Sequence, residues 1–211
     1  MKNLLIIGAG GCGREVMQWA KDINQNKPTW NIKGYLDDDK KALDGLRTEH
    51  KIIGTVNDYI PQADDVFTCS IGNSEIRKRI IDTIESKGGE FISIIHPTAV
   101  VAETAELGKA EIIYPYVIIS DNADIGDACI INMYSSVAHN SVLGNYCTIS
   151  AHCDITGGCN VFENVFFGSG AKAVPGINIG AGAFVCAGST VMSNIKPQIK
   201  VIGTPARKAS F

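Results

Sequence analysis

The chain is predicted to fold as a small α/β unit followed by a parallel β-solenoid, and three features of the sequence carry that prediction. A glycine-rich turn, GAGGCG at 8–13, stands between an apolar run and a helical stretch. A second helical pattern, NSEIRKRIIDTIESKGG, follows at 73–89. From Ile95 onward a six-residue repeat then runs without insertion to a last unit that starts at Val191.

In chain order, NLLII at 3–7 reads as a strand, and REVMQWAKDI beyond the glycines places Val16, Ala20 and Ile23 on one helical face. Strand, glycine turn and helix together can bring backbone N–H groups up to a phosphate, because glycine permits close approach and positive φ. WNIKGYLDDD reads as a second strand that ends in Asp37, Asp38 and Asp39, where ribose or base donors could be met; Asp39 reads as a solvated turn residue. IIGTVNDYI gives a short strand and a turn, and DVFTCSIG a buried strand. The second helix opens with Asn73 or Ser74 as N-cap, turns Ile76, Ile80 and Ile84 to one side and stops at Gly88 and Gly89. FISIIHP returns as a strand and enters the repeat at His96 and Pro97. The expected domains are 1–93, one Rossmann-like half large enough for a mononucleotide, and 94–211, the solenoid with its tail.

The repeat comprises 17 hexads whose first positions run from Ile95, Val101, Leu107 and Ile113 to Val185 and Val191. Four residues further on the side chain is usually Ala, Ser or Cys, with Glu111, Val117, Val165, Ile177 and Ile195 departing from the rule. One large apolar and one small residue per unit mean that each unit buries its face by stacking on its neighbours. Six is neither a helical nor a simple strand period, so each unit holds a very short strand and a corner, and three units close a triangular coil of 18 residues. The large residue fills the prism and the small one is expected at the corner. Five to six coils give a stack of about 27 Å at the spacing of paired strands.

Composition narrows the function. The net charge is −3 with no basic stripe, which argues against nucleic acid or an acidic membrane surface as partner. No run reaches the ~18 apolar residues of a membrane span, and MKNLLIIGAGG is too short for a secretory signal. Four of seven cysteines (Cys129, Cys147, Cys153, Cys159) occupy the small position, and no CxxC spacing occurs. They read as buried filler in a reducing cytoplasm, with no metal role.

Taken together, GAGGCG, YLDDD, SIGNSEIRKRI and a hexapeptide repeat that opens at IHPTA resemble the sugar O- and N-acyltransferases of the sialic acid O-acetyltransferase type. Within that family they resemble the bacterial enzymes that acetylate UDP-linked 4-amino-sugars. The resemblance covers essentially the whole chain. It implies a left-handed parallel β-helix, against the general right-handed preference of crossovers. It also implies acetyl-CoA as co-substrate, a homotrimer with active sites between neighbouring helices, and a nucleotide-sugar, with UDP as expected carrier, on the N-terminal domain. Matching motifs point to Gly8, Gly10, Gly11, Gly13, Asp37, Asp38, Gly72, Asn73 and Glu75 for the substrate. Cys12 stands where the family often has histidine.

Acyl transfer from a thioester needs a base and donors for the oxyanion. Of four histidines, His50 lies in a charged loop, His96 precedes a proline where the repeat begins, and His139 and His152 occupy the third and fourth positions of their hexads. NMYSSVAHNSVLG resembles the segment that carries the family's catalytic histidine, which implies His139. Stacking adds a geometric expectation: Gly157 lies 18 residues on, at the same hexad position, where its N–H suits the oxyanion donor that the family assigns there. Asn132 is expected to orient substrate. Asn140 stands where the family commonly has Glu or Asp; its oxygen can fix a tautomer but brings no negative charge. A weak base suits an amine, which favours N-acetylation over O-acetylation. Thr148, Ser169 and Ala187 match coenzyme A contacts, Thr148 in place of a histidine, and Gly203, Pro205 and Arg207 would flank its adenine and phosphates. The competing readings are an O-acetyltransferase, a nucleotide-sugar-binding scaffold without activity, a zinc hydrase, which needs three convergent histidines, and an NAD-dependent oxidoreductase, which needs a second nucleotide half.

Overall fold

The computed structural model describes residues 1–209, in two compact units that divide after Pro97. In the first unit, strands β1 (Lys2–Ile7), β2 (Trp30–Leu36), β3 (Ile52–Gly54), β4 (Asp65–Cys69) and β5 (Glu90–Phe91) form one sheet in the order β3-β2-β1-β4-β5. All its pairs are parallel. The strand order reverses at β1, so β1, β2 and β4 converge where a crevice opens beyond their C-terminal ends. Helix α1 (Gly11–Asn26) buries Val16, Met17 and Ala20, and β4 is buried at every residue.

Three local expectations need correction. Helix α1 starts at Gly11 with Gly10 as its N-cap, so the second half of the glycine run is helix and not turn. The cause is steric: a Cβ on Gly13 would stand 1.8 Å from the Gly8 carbonyl oxygen, and glycine lets the first helical turn rest on the end of β1. Helix α2 (Ser74–Ser86) is capped by Asn73, whose side chain accepts from the Ile76 N–H, but it buries Arg77, Ile81 and Ile84 while Ile76 is exposed. The Arg77 guanidinium donates to the carbonyls of Ile71 (2.6 Å) and Gly72 (3.1 Å), and this satisfied cation turns the helix away from the all-isoleucine face. FISIIHP does not run as one strand: β5 ends at Phe91 and a separate pair, Ile94–Ile95, follows. His96 stays with the first unit, its ring edge-on to Trp19 at 5.2 Å and its Nε2 3.3 Å from Asp22 Oδ2.

The second unit is a triangular parallel β-helix of two-residue strands. Each strand pairs with the strand 18 residues away, as in the ladder Val100, Ile118, Ser136, Asp154, Lys172, Thr190. The second residue of every strand is the first position of the hexad, and from Ile113 to Val191 these side chains are buried to 1 % exposure or less. The turn itself falls at positions three and four. Position four adopts positive φ in coil after coil, through Tyr116, Asn122, Tyr134, Asn140, His152 and Gly170 among others. The small residue is therefore not at the corner but just behind it.

There it has a polar task as well as a steric one. Ser135 and Ser141 donate to the carbonyls of Ser150 and Thr156 at 2.8 and 2.9 Å, fifteen residues on. Cys129, Cys147, Cys153 and Cys159 aim their thiols in the same way at Gly144, Phe162, Gly168 and Val174, at 3.1–3.3 Å. Burial pushes the Cys153 thiol up to about 11, so it stays protonated and able to donate. These cysteines tie one coil to the next and are more than filler.

Truncating the prism should be far costlier than truncating its surface. Ile131→Ala is expected to lose about 2–5 kcal/mol in urea unfolding, against about 0.5 kcal/mol or less for exposed Val100→Ala. Equal losses would contradict the packing assigned to the two positions.

Candidate functional site

Each coil turns three times, so the helix has three edges. His139 lies on the edge between strands Ser136–Val137 and Val142–Leu143, with its ring exposed. Asn140 beside it has φ +57, a conformation that Asn tolerates better than most residues. The Asn140 Oδ1 stands 3.0 Å from His139 Nδ1. An amide oxygen there accepts the Nδ1 proton, which leaves the Nε2 lone pair free to act as a base.

Gly157 lies one coil further along the same edge, as the 18-residue register requires. A Cβ on Gly157 would stand 2.6 Å from both Cε1 and Nε2 of His139, so the imidazole rests on the bare glycine backbone. The neighbouring Gly158 N–H donates to the His139 carbonyl at 2.9 Å, which locks the two coils in register. The Gly157 N–H meets no acceptor among the described residues. A base and an unused backbone donor thus stand side by side, as acyl transfer requires.

Other expected residues lie elsewhere on the helix. Asn132 is on the preceding edge, where its Oδ1 accepts from the Met133 N–H. Ser169 and Ala187 are exposed on that same edge, stacked through a bond from the Gly188 N–H to the Ser169 carbonyl, whereas Thr148 is largely buried in its strand. Gly203, Pro205 and Arg207 follow the last coil; Arg207 lines a cleft of about 420 Å³ with Lys196 and Lys208, two cations that suit phosphates. Within one chain, therefore, the helix does not bring His139 and the expected coenzyme A contacts onto one edge. The 18-residue spacing also holds a feature not drawn from the sequence: Tyr116, Tyr134 and His152 stack face to face at 5.2 and 5.1 Å. His152 is thus part of a ladder and distant in role from His139. Among the described residues no three His, Cys, Asp or Glu side chains gather to hold a metal.

The first unit gathers its expected residues at the ends of β1, β2 and β4. Gly8 has φ +97, and a Cβ there would press on Ile71 and Ser70. Gly10, Gly11 and Gly72 have nothing within 4 Å of where a Cβ would be, so their backbone is open to a ligand. The start of α1 has no side-chain cap and no acid in its first turn, which suits an incoming anion. Asp37 closes the turn: its Oδ2 accepts from the Ala9 N–H at 2.7 Å and its Oδ1 from the Asp39 N–H at 2.9 Å. Asp38 instead accepts from Val56 at 3.2 Å, and Asp39 is solvated. Asn73 is occupied as a cap, and Glu75 is exposed beside it. Burial pushes Cys69, at the end of β4, up to about 12.

Fold and edge histidine define the class, a hexapeptide-repeat transferase with a Rossmann-like domain ahead of its β-helix. The chain carries a PglD N-terminal domain, matched over residues 3–84, and a bacterial transferase hexapeptide domain, matched over residues 122–157. It is 32% identical over 116 residues to UDP-N-acetylbacillosamine N-acetyltransferase of Bacillus subtilis, a stretch that spans 53% of this chain and 51% of that protein, about half of each. Among solved structures it resembles the acetyltransferase domain of PglB from Neisseria gonorrhoeae, at 25% identity, TM-score 0.89 and 99% and 100% of the two chains. It equally resembles PerB from Caulobacter crescentus in complex with CoA and GDP-perosamine, at 27% identity, TM-score 0.89 and 100% and 98% coverage. That perosamine N-acetyltransferase has also been solved as a variant with one histidine replaced by asparagine.

The packing of His139 on Gly157 can be checked directly. Gly157→Ala is expected to displace the imidazole and break its contact with Asn140, which would show as a shift of the His139 ring signals in NMR with a thermal midpoint within a few degrees of wild type. Unmoved ring signals would refute the contact.

Proposed function

We propose that this chain transfers the acetyl group of acetyl-CoA to the amino group of a nucleotide-linked amino sugar, with UDP as the expected carrier and His139 as general base. The observation that carries this reading is the imidazole seated on Gly157, with Nδ1 held by Asn140 and a free N–H beside Nε2. The relatives act in the same sense: those with printed activities include a UDP-sugar N-acetyltransferase and a perosamine N-acetyltransferase solved with CoA and GDP-perosamine.

In this mechanism the sugar amine attacks the thioester carbonyl while His139 Nε2 takes its proton. The Gly157 N–H stabilises the oxyanion. The tetrahedral intermediate then expels the coenzyme A thiolate, which takes up the proton from the imidazolium. Asn140 keeps Nε2 in its basic form but lends no charge, which is adequate for an amine and poor for a hydroxyl. The open glycines at the ends of β1 and β4 and the uncapped start of α1 receive the nucleotide phosphates, and Asp37 holds their loop in shape.

The separation of His139 from Ser169, Ala187 and Arg207 supports a homotrimer, in which the cofactor on one helix meets the histidine of a neighbour. Acetyl-CoA and nucleotide sugars are cytoplasmic metabolites, which gives the enzyme its compartment.

His139→Ala is expected to lower turnover, read as free thiol release from acetyl-CoA, by about 10²-fold or more, with the thermal midpoint within a few degrees of wild type. Normal turnover would remove His139 from the mechanism. Asn140→Asp places a carboxylate at Nδ1, stabilises the imidazolium and raises its pKa, so the acid limb of kcat/KM should move to higher pH. A stationary limb would show that residue 140 does not touch the imidazole during turnover.

A further inference from the structure

Alongside α1, away from the glycine turn, the first unit holds a cleft of about 480 Å³. One wall is the face of α1 that carries Arg14, Met17, Gln18 and Lys21, spaced at one and two helical turns. The other wall is the β2–β3 connection at Arg47, Thr48 and Glu49, and Tyr35 of β2 forms part of the floor. Three cations thus line the cleft against a single carboxylate, Glu49.

These cations are not neutralised by the rest of the protein. Arg14, Lys21 and Arg47 form no ion pair among the described residues. The nearest acid on the helix, Asp22, is taken by Gln18 at 2.7 Å and by His96 at 3.3 Å. Arg14 is held in place by a bond from its Nη1 to the Ala9 carbonyl at 3.2 Å. The β2–β3 connection is tied down by the bond from the Tyr35 N–H to the Lys51 carbonyl at 3.0 Å. The local field is positive: Lys21 adds to burial in holding His50 below its usual range, and Arg14 works against the burial that raises Tyr35. An uncompensated concave cluster of this kind is unfavourable until an anion enters it.

We infer that this cleft is a second anion site, which binds a phosphoryl group through Arg14, Lys21 and Arg47, with Thr48 and Gln18 as neutral donors and Met17 and Tyr35 as an apolar floor. Its size suits a phosphorylated small molecule. The phosphoryl group has two possible sources, the diphosphate of the nucleotide-sugar or a separate phosphorylated metabolite. The site exists on either count and does not depend on acetyl transfer.

The probe is inorganic pyrophosphate, titrated by calorimetry into the full-length protein at fixed ionic strength, with chloride as control. Binding to wild type is expected to weaken about tenfold or more when both Lys21 and Arg47, which are not needed to fold the chain, are changed to Gln, since each lost charged contact weakens binding substantially. No binding to wild type, or equal binding to the double variant, overturns the proposal; chloride competing as well as pyrophosphate reduces it to unspecific charge and overturns it too. With the site established, a raised KM for the nucleotide-sugar at unchanged kcat in the double variant assigns it to the substrate diphosphate. An unchanged KM assigns it to a separate ligand. An inactive wild type that still binds pyrophosphate would refute the proposed reaction and leave the anion site standing.

Discussion

The 18-residue return of the helix is the constraint on which the site depends. Strand hydrogen bonds every third hexad fix which side chains can be neighbours, and they place Gly157 under His139 with no freedom to slip, because a one-residue slip would turn the buried first positions outward. The same register sets Tyr134 between Tyr116 and His152 and aims serine and cysteine side chains at carbonyls fifteen residues on. Catalytic geometry here is a by-product of stacking. No loop has to close to bring the imidazole and the glycine together.

The first unit solves a different problem with similar economy. Glycines at 8 and 13 are needed to pack helix against strand, while those at 10, 11 and 72 leave backbone open. Asp37 spends both oxygens on the turn itself, so its contribution to ligand binding is to hold the loop that would meet the phosphates. Arg77 is the clearest case of a charge serving architecture: fully buried, it caps the carbonyls that end β4 and so positions the start of α2.

Much of this was legible from sequence, for a physical reason. Periods of six and eighteen are global properties that survive local substitution, so the buried first positions and the pairing of residue 139 with residue 157 could be counted out. Local polar bonding could not. The isoleucines of α2 suggested a face at 76, 80 and 84, yet one arginine bonded to two carbonyls moved it to 77, 81 and 84. The corner was misplaced by one position, because smallness alone does not distinguish the turn from the residue behind it, whereas the recurrence of Asn, Gly and Tyr at position four marks the positive φ. The cleft beside α1 needs a loop brought against a helix, which no local pattern reveals.

The chemistry turns on an imidazole steadied by an amide in place of a carboxylate, a base matched to an amine. The most direct measurement is thiol release from acetyl-CoA with a UDP-linked amino sugar beside the same sugar bearing a hydroxyl in place of the amine. Turnover with the amine alone is the expected result. Turnover with the hydroxyl sugar, or with neither while acetyl-CoA still binds, would contradict it.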